Sequence, residues 1–347
     1  MKRFYLLLLG AMMVSALHAQ VVEQGEPTLV YYSPKTSVSL YFSYTIEKWE
    51  PGIYAQYAES MLGVNNAVKE NKTTYTLKDV RIGTMTTADL SRAHKVKNEA
   101  GIPLLLTINE KGILLGYNLP ADKKKPSGHH NTSLSKADKC SKPGLKAVPL
   151  PEEALKAANP MAQAFTVAKQ IFHLRETRMY LINGEVEHAP ADGKSMELVL
   201  AELDKQEQAL TELFIGKHSV RTDEKHVTFA PEEKKHILYF SEENGFTDAE
   251  NLEASTVVVS VALHPQHYVT NTDKKKKKEA PLSQIVYNLP GSGDLKVLYR
   301  GTELGKRTIP VAQLGVDVPL AKDVFKGESL PVIEFNEKTG NIVSISK

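Results

Sequence analysis

The run Ser37-Val38-Ser39-Leu40-Tyr41-Phe42-Ser43-Tyr44-Thr45-Ile46-Glu47 decides the fold class. Val38, Leu40, Phe42, Tyr44 and Ile46 share one parity, and Ser37, Ser39, Tyr41, Ser43, Thr45 and Glu47 share the other. Side chains alternate across a strand, so this period of two predicts a half-buried β-strand. Pro51-Gly52 ends it. Tyr54, Tyr57, Ala58, Met61 and Leu62 then recur at helical spacing, with Gly63 as the helix stop.

Working outward, Thr73 to Ile82 reads as a strand, and Leu104–Ile108 with Ile113–Leu115 form a hairpin about Asn109-Glu110-Lys111-Gly112. Residues 121–150 are Lys-rich with interspersed Pro, Gly and Ser and no periodic apolar face, which predicts a disordered loop or linker. From Glu152 the period changes to helical. Val167, Ile171, Leu174, Arg178 and Leu181 trace one stripe, broadened by Phe165, Ala168 and Phe172. After the Asn183-Gly184 turn and the Asp192-Gly193 start, a second helix carries Leu198, Val199, Leu203, Leu210, Leu213 and Phe214, closed by Gly216 and Lys217. From Val227 short apolar runs separated by turn signals predict strands, ending in a hairpin around Asn336 to Gly340.

The expected architecture is therefore α+β, with β-rich N-terminal and C-terminal parts, the latter sandwich-like, and a central antiparallel helical pair. The expected divisions are 1–19, an N-terminal β-rich domain with one short helix over 20–120, the loop over 121–150, the helical pair over 151–219 and a C-terminal β domain over 220–347. The Asn109–Gly112 and Asn336–Gly340 turns look alike, which a shared turn chemistry explains at least as well as an internal repeat.

Lys2 and Arg3 precede an apolar run from Phe4 to Leu17, and small Ala19 follows two residues later. That form is a secretory signal peptide cut before Gln20, too short for a spanning helix. It predicts export to the periplasm or cell envelope, or onward to the surface. Without Lys2 and Arg3 the chain holds 41 basic and 41 acidic residues, so the basic excess of a phosphate-neutralising nucleic-acid binder is missing. A lone Cys140 allows no internal disulfide, and 347 residues are enough to bury a core without one.

Several segments resemble one family. Tyr31-Tyr32-Ser33-Pro34-Lys35-Thr36, then Pro51-Gly52, Tyr54-Ala55-Gln56-Tyr57-Ala58 and Leu62-Gly63, are similar to the N-terminal half of an uncharacterised family of exported Gram-negative bacterial proteins, a domain of unknown function. Ile171 through Arg175-Glu176 and Arg178, Gly184-Glu185, Ala191-Asp192-Gly193 and Leu213 to Lys217 resemble its helical signature. Pro310 to Gly315 and Thr339-Gly340 resemble its closing run. The resemblance covers nearly the whole chain after the leader and implies export and one continuous architecture. It brings no activity, cofactor or catalytic residue.

Motifs that carry chemistry mostly fail on spacing. Gly193-Lys194-Ser195 lacks the glycine five residues upstream that a phosphate loop needs, since position 188 is His. Gly291-Ser292-Gly293 lacks the spacing of a nucleophile elbow and reads as a turn before a strand. His264 and His267 flank Pro265 in what reads as a turn and have no identifiable third ligand; His129-His130 sits among lysines. No catalytic residue, metal site or cofactor is assigned. Tyr31, Tyr32, Tyr54 and Tyr57 are candidates for stacking on a glycan or peptide, against ordinary core packing of their rings. Lys274, Lys275, Lys276, Lys277 and Lys278 are candidates for contact with an anionic surface, against a solvated loop that guards a sheet edge. Arg175 and Arg178 interrupt the first long helix, and an ion pair with Glu176 or with acids of the second helix satisfies them.

Two functions follow. One is a non-catalytic module that binds a glycan, peptide or envelope partner; the other is a periplasmic hydrolase whose site assembles only in three dimensions. Converging His, Asp, Glu or Ser in a concave pocket favours the hydrolase, and a broad aromatic or edge-strand surface favours binding.

Overall fold

The computed structural model describes residues 28–97, 103–120, 150–186, 193–248, 253–267 and 282–347. The leader over 1–19, residues 121–149 with His129, His130 and Cys140, and Lys274 to Lys278 lie outside these residues. In chain order the elements are β1 (Thr28–Glu50), α1 (Ala58–Leu62), β2 (Lys72–Lys97), β3 (Leu106–Ile108), β4 (Leu114–Tyr117), α2 (Glu152–Lys156), α3 (Pro160–Asn183), α4 (Gly193–Ile215) and β5 (Lys217–Phe229). There follow β6 (Lys235–Ser241), β7 (Gly245–Thr247), β8 (Ser255–His264), β9 (Leu282–Tyr299), β10 (Thr302–Ala321), β11 (Val332–Phe335) and β12 (Ile342–Ser346). The fold is α+β, with antiparallel sheets at both ends of the chain and a helical pair between them.

Three sheets form, ordered β2-β1-β5, β10-β9-β8-β6-β7 and β12-β11-β4-β3. The alternation of β1 explains the first core. Val38, Leu40 and Phe42 are fully buried and meet Val80 and Ile82 of β2, Phe240 of β6, Val257, Val259 and Val261 of β8, and Leu295 and Val297 of β9. Two sheets facing each other across such a layer make a sandwich. β1 and β2 pair from Thr28↔Lys97 to Trp49↔Lys72, with an irregularity between Tyr32 and Pro34. Pro34, which has no N–H to give the ladder, resumes the pairing opposite Ala88. Beyond that break Tyr31 and Val96 enter a second core with Leu114, Tyr117, Ile285, Leu320, Ile333 and Phe335.

The sheets cross the boundaries drawn from sequence. β5 pairs with β1, and β4 pairs with β11, so residues over 220–347 complete sheets begun over 20–120. Both ends follow one order, a long hairpin (β1–β2, β9–β10) and then a short one (β3–β4, β11–β12). The two look-alike turns close the short hairpins, which lie side by side in one sheet, and Asn109 Nδ2 donates to Glu337 Oε1 at 2.9 Å.

β5 starts at Lys217, ten residues before the Val227 expected from sequence. Residues 282–299 form the single strand β9, so Gly291-Ser292-Gly293, expected as a turn before a strand, lies within it. Gly291 sits where the His264 and Leu314 backbones approach so closely that a Cβ would stand 2.7 Å from His264 O.

In the helical pair, Asn159 caps α3 by accepting from Ala162 N at 2.9 Å, and Gly184 ends it at φ 75°. Ala164, Val167, Ala168, Ile171 and Leu174 are buried against Leu210 and Phe214 of α4, with Tyr54 and Ala58. Phe165 and Phe172, expected to broaden that stripe, are instead 53% and 49% exposed. Phe165 stands two positions from Val167 and Phe172 one from Ile171, separations that turn a helical side chain away from its neighbour's face. Leu198 and Val199 near the start of α4 are also exposed. Arg175 Nε bonds Glu207 Oε1 at 2.6 Å and Arg178 Nη1 reaches Asp204 Oδ1 at 3.0 Å, the expected pairing with the second helix. No helix among the described residues is long and apolar enough to cross a membrane.

Candidate functional site

Two places gather chemistry. The first is the junction where β1, β2, β9 and β10 pass from one core to the other. Arg92 of β2 donates from Nε to Asp317 Oδ2 of β10 at 3.1 Å and pairs through Nη2 with Oδ1. The same guanidinium reaches Asn288 Oδ1 at 3.0 Å and Ala312 O at 3.1 Å. Asn288, buried in β9, donates to Ala312 O and Thr339 O at 2.9 and 2.7 Å. Ser33 Oγ lies 2.8 Å from His94 Nε2 and donates to Asp317 Oδ1 at 3.2 Å. Asp317 Oδ2 is 3.6 Å from that same Nε2. Burial pushes the His94 pKa below its ordinary value; Asp317 opposes the shift and Arg92 adds to it.

A serine, an imidazole and a carboxylate thus converge, and their geometry decides what they do. In a catalytic relay the carboxylate holds Nδ1–H so that Nε2 can accept the serine proton. Here Asp317 and Ser33 both face Nε2. A proton on Nε2 satisfies the cluster: the imidazole donates to Ser33, and Ser33 donates to Asp317. The hydroxyl then points its proton at a carboxylate that Arg92 neutralises, and no base is left to activate it. Ser33 is 5% exposed. The crevice beside it, lined by Tyr31, Ser33, Asn288 and Gly340, holds about 10 Å³, room for one water. This cluster fastens four strands.

Of the tyrosine candidates, Tyr31 belongs to that second core. Its hydroxyl donates to Val286 O and accepts from Val286 N, each at 2.7 Å, and its ring tilts over His94 at 5.1 Å. Tyr32 is half-buried and edges the same crevice. Tyr54 is buried in the helical core, 5.4 Å from Phe214, with Tyr57 packed nearby. The two pairs therefore lie in different cores. His264 bonds Asp294 at 3.0 Å, and among the described residues no three His, Cys, Asp or Glu side chains could hold a metal.

The second place is the outer face of the β2-β1-β5 sheet, the polar parity of the run that opened the sequence. Tyr41 stands opposite Arg81 on β2 and His226 on β5; Trp49, at the same parity, stands opposite Lys72 and His218. Each row thus sets a cation, an aromatic ring and an imidazole across three strands. His226 stacks on Tyr41 at 4.4 Å and 14°, and the Arg81 guanidinium lies 4.8 Å from its centroid. His218 stacks on Trp49 at 4.7 Å and 14°, and Lys72 Nζ lies 5.8 Å from that ring. Eight residues of strand separate the rows, roughly 27 Å at strand rise. Ser43, Thr45 and Glu47 lie between them, flanked by Asp79, Thr76 and Thr74 on β2 and by Glu224, Thr222 and Val220 on β5. Arg81, Lys72 and the stretch Lys217 to His226 are exposed. At the Trp49 end a cleft of about 380 Å³ opens, lined by Trp49, Val68, Glu70, Asn71 and Lys72.

Sequence reading missed both places, although signals existed. Arg92 and His94 are two apart, which on a strand aims both at one face, but the strand pattern of the sequence ends at Ile82. Tyr41 and Trp49 are aromatic side chains at an otherwise polar parity.

A family model described as a domain of unknown function, DUF4831, matches residues 28–343. Neither the curated proteins nor the solved structures compared with the chain give a match.

Proposed function

The chain belongs to the DUF4831 family, and from that premise we propose that it is a non-catalytic binding module of the exported cell envelope, working through the outer face of β2-β1-β5 on a glycan-bearing partner. The observation that carries the reading is the pair of cation–aromatic–imidazole rows on an exposed sheet face. Flat rings with polar neighbours offer stacking area at little cost in side-chain entropy, and hydroxyls and carboxylates between them offer hydrogen bonds. Export, to the periplasm or the surface of a Gram-negative cell, is part of the proposal and rests on Lys2, Arg3 and the apolar run that follows.

The competing reading is a hydrolase with Ser33 as nucleophile. A carboxylate and a hydroxyl sharing Nε2, a guanidinium on the carboxylate and a one-water crevice all count against it. One experiment tests both. The mature protein is sedimented with purified peptidoglycan and with lipopolysaccharide-containing envelope, and release of soluble fragments is measured in parallel. Retention that falls at least tenfold in Trp49→Ala, with the circular dichroism spectrum unchanged, supports the module. Absence of retention on either material removes it, and fragment release abolished by Ser33→Ala replaces it with the hydrolase.

A further inference from the structure

Trp49 is the chain's only tryptophan, and its two sides are treated differently. Toward β5 the ring is stacked on His218 at 4.7 Å, and Glu47 holds that imidazole at 3.6 Å. Toward β2 Lys72 Nζ stands off at 5.8 Å, and the cleft of about 380 Å³ opens there; its lining includes Lys72 but not His218. Tyr41, in the matching row, has His226 at 4.4 Å and Arg81 at 4.8 Å, with Arg81 tied to Glu224 at 3.0 Å. The same cross-strand device is closed at Tyr41 and open at Trp49.

The cleft is built by its neighbourhood. Val68 N donates to Ile215 O at 2.9 Å, which pins the segment before β2 to the end of α4. Glu70, Asn71 and Lys72 follow in sequence and are exposed around the indole. Their chemistry is specific: a carboxylate that accepts, an amide that donates and accepts, and an ammonium that donates, all beside one flat apolar ring. A pyranose presents C–H groups on one side and hydroxyls of both senses around its edge, and that pattern is complementary to this lining. The size falls in the lower part of the range for small-molecule sites, roughly 300–1,000 Å³. One negative and one positive group line the cleft, so an acidic sugar gains from Lys72 and is repelled by Glu70. A glycosidase needs two carboxylates flanking the bond, and Glu70 is the single carboxylate in the described lining.

We propose that the Trp49 cleft is a subsite for one uncharged pyranose unit, neutral or N-acetylated, which stacks on the indole while Glu70, Asn71 and Lys72 bind its hydroxyls. This rests on the binding-module reading and names the chemistry of its ligand. Stacking on the sole tryptophan gives a direct signal. Emission is followed as the mature protein is titrated with glucose, galactose, N-acetylglucosamine and the β-1,4-linked trimer of N-acetylglucosamine, with glucuronate and adenosine monophosphate as charged probes.

A saturable emission change with a neutral sugar, weakened at least fivefold in Glu70→Gln and in Asn71→Ala, supports the subsite. Trp49→Ala, followed by calorimetry, then abolishes binding, whereas Trp49→Phe keeps part of it. Glu70 and Asn71 are exposed, so these two variants keep the fold. No saturable change with any sugar overturns the subsite, as does a change elicited only by the charged probes, or equal affinity in the Glu70, Asn71 and Trp49 variants. If the protein still sediments with peptidoglycan in those cases, the module stands without this subsite; if sedimentation fails too, both fall.

Discussion

Arg92 on β2 and Asp317 on β10, in different sheets and 225 positions apart, are joined in a two-pronged ion pair, Nε to Oδ2 at 3.1 Å and Nη2 to Oδ1. Their side chains are 19% and 29% exposed, and Arg92 also spans Asn288 and Ala312. Removing one partner strands the other in a half-buried place. Arg92→Ala should therefore lower unfolding stability by about 3 kcal/mol, read from urea midpoints. Arg92→Lys should not restore it, because an ammonium cannot form the fork. Arg175→Ala, at a pair whose arginine is 42% exposed, should cost less than about 1 kcal/mol. Equal losses for the two alanine variants would show that the junction is not a special fastening.

Gly216 is the single residue between α4 and β5. It sits at φ +85°, and a Cβ there would stand 2.5 Å from Glu50 O and 2.9 Å from Val68 Cβ. Gly184 ends α3 at φ +75° with nothing within 4 Å. Both glycines carry the conformational strain of an alanine replacement, and only Gly216 adds a backbone collision. Gly184→Ala should cost about 1 kcal/mol, and Gly216→Ala at least twice that by thermal and urea unfolding. A Gly216→Ala loss no larger than that of Gly184→Ala refutes the tight joint.

Gly216 also marks where sequence and structure part. The α4 stripe ends at Phe214 and was legible, as were the β1 alternation, the α3 stripe of Val167, Ile171 and Leu174, and the two Asn-to-Gly turns. β5 was not legible over Lys217 to His226. That stretch is an edge strand exposed on both faces, so nothing imposes a period of two on it; pairing with β1 makes it a strand. The second half of β2 was missed for a related reason: between Ile82 and Val96 only Asp89 is buried, so no apolar alternation marks the strand where it passes from one core to the other. Arg92, His94 and Asp317 came together only through that passage. Trp49 was in plain view, but its meaning depended on knowing that Lys72 and His218 flank it.

His94 makes stability depend on pH in a stated direction. Its pKa in the folded chain lies below the ordinary value of 6.5, chiefly because burial disfavours the imidazolium, with Asp317, Arg92, Ser33 and Tyr31 around it. Below pH 6.5 the unfolded chain binds a proton that the folded chain does not, so stability is full above that pH and falls as the pH drops toward the folded value. Glu50 and Asp294, whose pKa values are lowered by Lys48 and by Thr308 respectively, act in the same direction but only below their ordinary values of 4.5 and 3.8. Urea midpoints from pH 7.5 to 5 should fall in the wild type and stay flatter in His94→Gln. An equal fall in both would assign the dependence elsewhere.

Ile171 and Phe172 are neighbours in sequence and opposites in energy. Ile171 is fully buried between α3 and α4, while Phe172 is 49% exposed with Arg175 at 5.7 Å from its ring. Size alone would make the phenylalanine the costlier loss. Burial reverses that order, because removing a methyl group costs free energy only where it leaves a cavity or returns buried surface to water. Ile171→Ala should destabilise by about 2–4 kcal/mol. Phe172→Ser should cost clearly less, about 1 kcal/mol, since half of its side chain is already hydrated and its cation contact is weak at such exposure. Calorimetric unfolding of the two variants checks the order directly. A Phe172→Ser loss comparable to that of Ile171→Ala would mean that the outer side of α3 is covered in solution, and that the helical pair buries two faces where the structure shows one.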